Sequence, residues 1–183
     1  MMSHSRDEKI RLEHEAARIF MRQYEQGYGI TMRHIWHNEP ARPDVTCYYQ
    51  DQKLDLEIAH LYGSEAEAMH ILGRELAAET HRELLMLMRM PAEARLVAAL
   101  NSLLASKAQK TYDSNKVWLV IRNANPLWTR DEMLAHFPKL RIPKQHPFEQ
   151  IWVIGDMAGD SGLLALFPPL HQPISTKNRD GSC

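Results

Sequence analysis

Three acids interrupt two short apolar runs: Asp44 opens "DVTCYYQ" (44–50), and Asp55 and Glu57 lie within "KLDLEIAHL" (53–61). Both runs read as strands joined by a polar turn at Asp51 and Gln52. In the second run Leu54, Leu56 and Ile58 face one way, and Asp55, Glu57 and Ala59 face the other. Paired strands lie about 4.8 Å apart, so acids on one face of such a hairpin can converge on a single ion. Magnesium takes oxygen ligands at about 2.1 Å, usually one or two carboxylates completed by water and substrate phosphate. Manganese serves the same site. An ion so held polarises a phosphate and activates water, which is the chemistry of phosphodiester hydrolysis. The plain alternative is a hairpin whose acids lie on its wet face.

Two further residues extend the constellation. Lys107 follows Leu100 by seven residues, Leu103 by four and Leu104 by three, so it falls on the apolar stripe of its helix. An unpaired ammonium is costly there, and the acidic hairpin would offset it. Otherwise the side chain runs along apolar surface and keeps its head wet. Glu13 stands at three, four and seven from Ile10, Ala17 and Phe20, again on an inward stripe. It either joins the acids or pairs locally with Lys9 or Arg18.

The elements that must position these groups follow from pattern. Residues 6–26 read as an amphipathic helix ended by Gly27 and Gly29. "ITMRHIWH" (30–37) reads as a first strand before the hairpin. Residues 64–112 read as helical in two pieces. Ser64 and Glu67 form a capping-box pattern, Gly73 weakens the first piece, and Pro91 opens the second as its first-turn proline. "KVWLVIRN" (116–123) is a buried strand. Thr129 and Glu132 cap a short helix that stops before Pro138, and strands follow at 148–156 and 163–168. This order predicts one α/β domain over residues 1–168, with a central mixed sheet flanked by helices and a helical insertion at 64–90. Residues 169–183 read as a polar, mobile tail.

Composition narrows the classes. Of 183 residues, 44% are hydrophobic and 25% charged, and the net charge is −1, so no bulk basic field announces nucleic acid. A nucleic-acid partner has to be gripped locally, and "MRHIWHNEPAR" and "FPKLRIPKQHPF" mix cations with aromatics suitably. Cys47 and Cys183 give no disulfide framework, and no signal peptide or membrane span is visible, so a cytoplasmic protein with no membrane partner is expected. His34 and His37 fall on opposite faces of a strand, which disfavours zinc. The run "LLMLMRM" (84–90) predicts core packing or a homodimer formed through a helix over 69–90.

"RPD…DLEIA", after a helix with an inward glutamate and before a helix ending "SKAQKTY", then "VWLVIRN" and "IWVIGD", resembles a divergent member of the PD-(D/E)XK nuclease superfamily. The resemblance spans residues 8–168. It implies a restriction-endonuclease-like core and a magnesium-dependent endonuclease acting on DNA. Pro43 and Asp44 match the family's Pro-Asp pair, and Glu57 best matches its second acid, with Asp55 the alternative. The family's lysine would stand two residues after Glu57, where this chain has Ala59. Lys107, or failing it Lys110, would be a lysine recruited from the helix. Glu13 would be an outer-shell or second metal ligand. A chain that kept the fold and lost the chemistry would instead be a binding or regulatory module for nucleic acid or protein.

Overall fold

The computed structural model describes residues 2–39 and 42–169, without the side chains of Met2, Ser3, His34 and Glu65. The expected tail at 170–183, with Cys183, lies outside the described residues, as does the His34 side chain in the zinc question. In chain order the elements are α1 (Met2–Tyr28), β1 (Met32–His37), β2 (Val45–Tyr49), β3 (Gln52–Leu61), α2 (Glu65–Ile71), α3 (Ala78–Leu87), α4 (Ala92–Ala108), β4 (Val117–Asn123), α5 (Arg130–His136), a 3-10 turn at Phe137–Lys139, β5 (Gln150–Ile154) and β6 (Leu163–Phe167).

The six strands form one sheet in chain order. Neighbours β1, β2 and β3 are antiparallel, β3, β4 and β5 are parallel, and β6 returns antiparallel. The α/β class and the mixed sheet are therefore as the sequence predicts. A hairpin loop suffices between β2 and β3, whereas the parallel step to β4 needs a crossover, which α2 to α4 provide.

Strands β3 to β6 alternate between two cores, whereas β1 and β2 contribute to the first alone. On one side α1 packs Phe20 and Tyr24 against Leu54, Leu56, Trp118 and Trp152. The Tyr24 ring lies 5.5 Å from that of Trp118 and 5.4 Å from that of Trp152. On the other side α4 and α5 bring Leu96, Leu100, Leu104 and Met133 onto Leu119, Ile121 and Val153. In the second basic segment, Phe137, Leu140, Ile142 and Phe148 pack on this same core, so its apolar residues are structural.

Two expectations are corrected. The 64–112 region is three helices, because the chain leaves helical geometry between Ile71 and Ala78, with Gly73 at φ +69°. A dimer helix spanning 69–90 therefore does not exist as one element. Its second half, α3, still exposes Leu85 and Met86, with Met88 and Met90 just beyond. Pro91 is the N-cap of α4 rather than its first helical residue. No helix among the described residues is long and apolar enough to cross a membrane.

The Thr129 capping box is complete: the Thr129 side chain accepts from the Glu132 N–H, and Glu132 accepts from the Thr129 N–H at 2.8 Å. Thr129→Ala should lower stability by about 1 kcal/mol. It will read as an earlier denaturant midpoint with an unchanged slope.

Candidate functional site

The site forms where β2 begins. The last β2–β3 pair is Val45 with Leu56, so Asp44 stands just beyond it, across from Glu57. Asp44 Oδ2 accepts the Ile58 N–H at 2.9 Å, taking the place of a strand carbonyl. Both acids are buried, at 5% and 2% exposure, which rejects the wet-face reading. Glu57 points toward α4, as the alternation of β3 requires.

Lys107 closes the site from α4. Its ammonium lies 2.7 Å from Glu57 Oε1, and Lys110 reaches the same oxygen at 3.5 Å. The stripe position therefore leads the side chain to a buried partner. Glu13 arrives from α1, itself buried, with His37 Nε2 at 3.1 Å and Lys9 at 3.5 Å. Glu13, Asp44, Glu57 and Lys107 all line one cavity of about 440 Å³.

Asp55 goes elsewhere. It does not line this cavity. Its Oδ1 accepts the Thr46 hydroxyl at 2.6 Å, and Thr46 in turn accepts from Asn38 Nδ2 at 2.8 Å. That chain ties β3 to β2 and to the segment after β1.

Burial pushes the Asp44 carboxyl up to about 7, and the adjacent Glu57 charge adds to the rise. The Ile58 N–H and the Lys107 charge pull the other way without prevailing. Glu57 Oε2 is buried with no hydrogen-bond partner. Burial, and next the Glu57 charge, also push the Tyr112 phenol upward. Its hydroxyl approaches that carboxylate without closing a hydrogen bond.

These features fit a small oxygen-seeking cation. Two carboxylates are held close at an energetic cost, and one buried oxygen is left unsatisfied. Among the described residues no three His, Cys, Asp or Glu side chains are grouped to hold an ion. Asp44 and Glu57 could offer carboxylate oxygens alone, the donor type that magnesium and manganese take.

The sequence pattern missed two lining residues and one residue that holds a lining side chain. Tyr112 lies in the irregular segment after α4, where no period marks a direction. Arg42 lines the cavity from the turn before β2. His37, considered above only beside His34, partners Glu13 instead, a pairing between α1 and β1 that no local spacing signals.

The chain matches no family model, no curated protein and no solved structure.

Proposed function

We propose that the protein is a divalent-metal-dependent nuclease with a restriction-endonuclease-like core, hydrolysing phosphodiester bonds of nucleic acid, in the first instance DNA. The single observation that carries this reading is the Lys107 ammonium 2.7 Å from Glu57 in a cavity shared with Asp44 and Glu13. The lysine missing after Glu57, where Ala59 stands, is thereby supplied from α4.

The free oxygens define the division of labour. Asp44 Oδ2 is committed to Ile58, and Glu57 Oε1 to the two lysines. Asp44 Oδ1 and Glu57 Oε2 are left to hold the ion. When bound, a divalent cation supplies a Lewis acid for the scissile phosphate. Lys107 fixes the Glu57 carboxylate, orients the attacking water and stabilises negative charge at phosphorus. Glu13, anchored by His37, orders the outer edge of the site.

Plasmid nicking with manganese tests the assignment. Lys107→Ala should slow nicking by about 10²-fold, the usual loss of a positioned charge in a reacting site. Lys110→Ala should change it less than about threefold, since that lysine is half exposed and more distant. Nicking by Lys107→Ala at the wild-type rate would remove Lys107 from the mechanism.

A second reading is favoured by Ala59 and by the Glu57 charge being already balanced by Lys107 and Lys110. In it the chain is an inactive nuclease-fold module that binds or regulates a nucleic-acid or protein partner. Calorimetric titration with magnesium and manganese separates the two. Equal, negligible heats for the wild type and for Asp44→Ala with Glu57→Ala select the second. The exposed Leu85 of α3 and Met88 at its C-cap also keep the homodimer as a proposal. Light scattering should then give twice the monomer mass, halved by changing both residues to glutamate.

A further inference from the structure

The sheet is left unfinished beside the acid cavity. β2 stops pairing at Leu56, whereas β3 continues to Leu61 with only β4 beside it. The open edge forms the floor of a second chamber of about 690 Å³, walled by the start of α1, the end of α2 and the end of α4. It shares Lys9, Glu13, Ile58 and Lys107 with the acid cavity, so the two spaces adjoin.

The lining is sorted by chemistry. Leu12, Leu72 and Leu103 supply apolar wall. His60 and Tyr62 present two stacked rings, with centroids 6.0 Å apart and planes 20° from parallel. Burial, and then the Arg122 charge, lower the His60 pKa to about 4, so the imidazole is neutral at pH 7. Its Nε2 is buried without a hydrogen-bond partner. Arg6, Lys9 and Arg74 stand at the rim with side chains 64%, 71% and 48% exposed, each in an ion pair with a glutamate: Glu39, Glu13 and Glu8. With Lys107, four cations line the chamber against the two acids Glu8 and Glu13. Flat apolar and aromatic walls with an excess of cations over acids suit a nucleotide. An apolar peptide would use the walls and leave the cations idle.

We infer that this chamber receives an unpaired nucleobase of the strand whose phosphate lies in the neighbouring acid cavity, so that single-stranded or frayed nucleic acid is the preferred substrate class. The inference rests on the nuclease reading of that cavity. The base lies against the apolar walls and the His60–Tyr62 rings, and the flanking phosphates take the place of the glutamates on the rim cations. A fully paired duplex cannot place a base there without opening.

Fluorescence anisotropy of the full chain in calcium, with no turnover, tests this on the wild type. The probes are fluorescein-labelled decathymidylate, the same backbone with its bases removed, and a blunt duplex. The intact strand should bind about tenfold or more tightly than the abasic one. Leu72→Trp, which fills the chamber, and Tyr62→Leu, which removes a ring, should each erase that preference and leave duplex binding unchanged. Equal wild-type affinity for intact and abasic strands, or no binding of either, overturns the inference. The two readings fail separately. Base preference without manganese-dependent nicking removes hydrolysis and keeps the chamber. Nicking without base preference removes the chamber alone.

Discussion

Asp44→Asn should make the protein more stable at pH 8 while reducing manganese-dependent nicking by about 10³-fold. The two effects have one cause. In the folded chain burial and Glu57 hold the Asp44 carboxyl near 7, against an ordinary value of 3.8. Its folded-state pKa is raised, so the folded form binds the proton more tightly than the unfolded form. Below about pH 4 both forms are protonated and the acid costs folding nothing. Between about 4 and 7 the unfolded carboxyl ionises first, and stability falls by at most about 1.4 kcal/mol per pH unit. Above 7 both forms are ionised and the penalty levels off at a few kcal/mol. Asparagine keeps an oxygen for the Ile58 N–H and carries no charge, so its stability should stay flatter over that window. Activity moves the other way, because an ion ligand contributes several kcal/mol to transition-state charge stabilisation. Denaturant midpoints at pH 5 and pH 8, with nicking rates, provide the check. Manganese should raise the wild-type midpoint at pH 8 and leave that of the variant unmoved. Parallel pH profiles for the two proteins would show that Asp44 is not the group under strain.

The part of this site that was legible lay in strong periodicities. The alternation of β3 put Glu57 on the face opposite Leu56, and the stripe of α4 put Lys107 inward, each from residues within two turns or one strand. Where each inward group ended up depended on pairing between distant segments. Asp55 and Glu57 share a face and a chemistry, yet the β2 register gives one to Thr46 and the other to Lys107. No pattern within β3 distinguishes them. Glu67 illustrates a different gap. Its spacing from Ser64 suggests a reciprocal capping box, and Ser64 does accept the Glu67 N–H at 3.1 Å. The Glu67 side chain instead turns inward to Arg95, because a buried guanidinium on α4 needs a carboxylate more than a helix end needs a second cap.

Arg95→Met should be the most destabilising single exchange discussed for this chain, at about 3–5 kcal/mol. Arg95 and Glu67 are 6% and 5% exposed and paired with each other across α4 and α2. The guanidinium also lies over the Trp128 ring, 5.9 Å from its centroid, and Trp128 Nε1 donates to the Ala92 carbonyl at 3.0 Å. Asn125 Nδ2 adds a bond to the same Glu67 oxygen at 3.2 Å. Methionine preserves much of the volume and removes the charge, so Glu67 is left as a buried carboxylate with one neutral donor. That uncompensated charge, rather than lost packing, carries the cost. Adding Glu67→Gln to Arg95→Met should therefore recover most of the loss, which a packing defect would not allow. In thermal unfolding the single variant should melt about 10 °C lower and the double variant much closer to wild type. The pair ties the crossover helices to the end of β4, and α2 and α4 also wall the chamber beside the acid cavity. Temperatures that loosen the single variant should accordingly weaken decathymidylate binding before the sheet melts. Coincident loss of both signals would mean that the crossover and the sheet unfold as one unit.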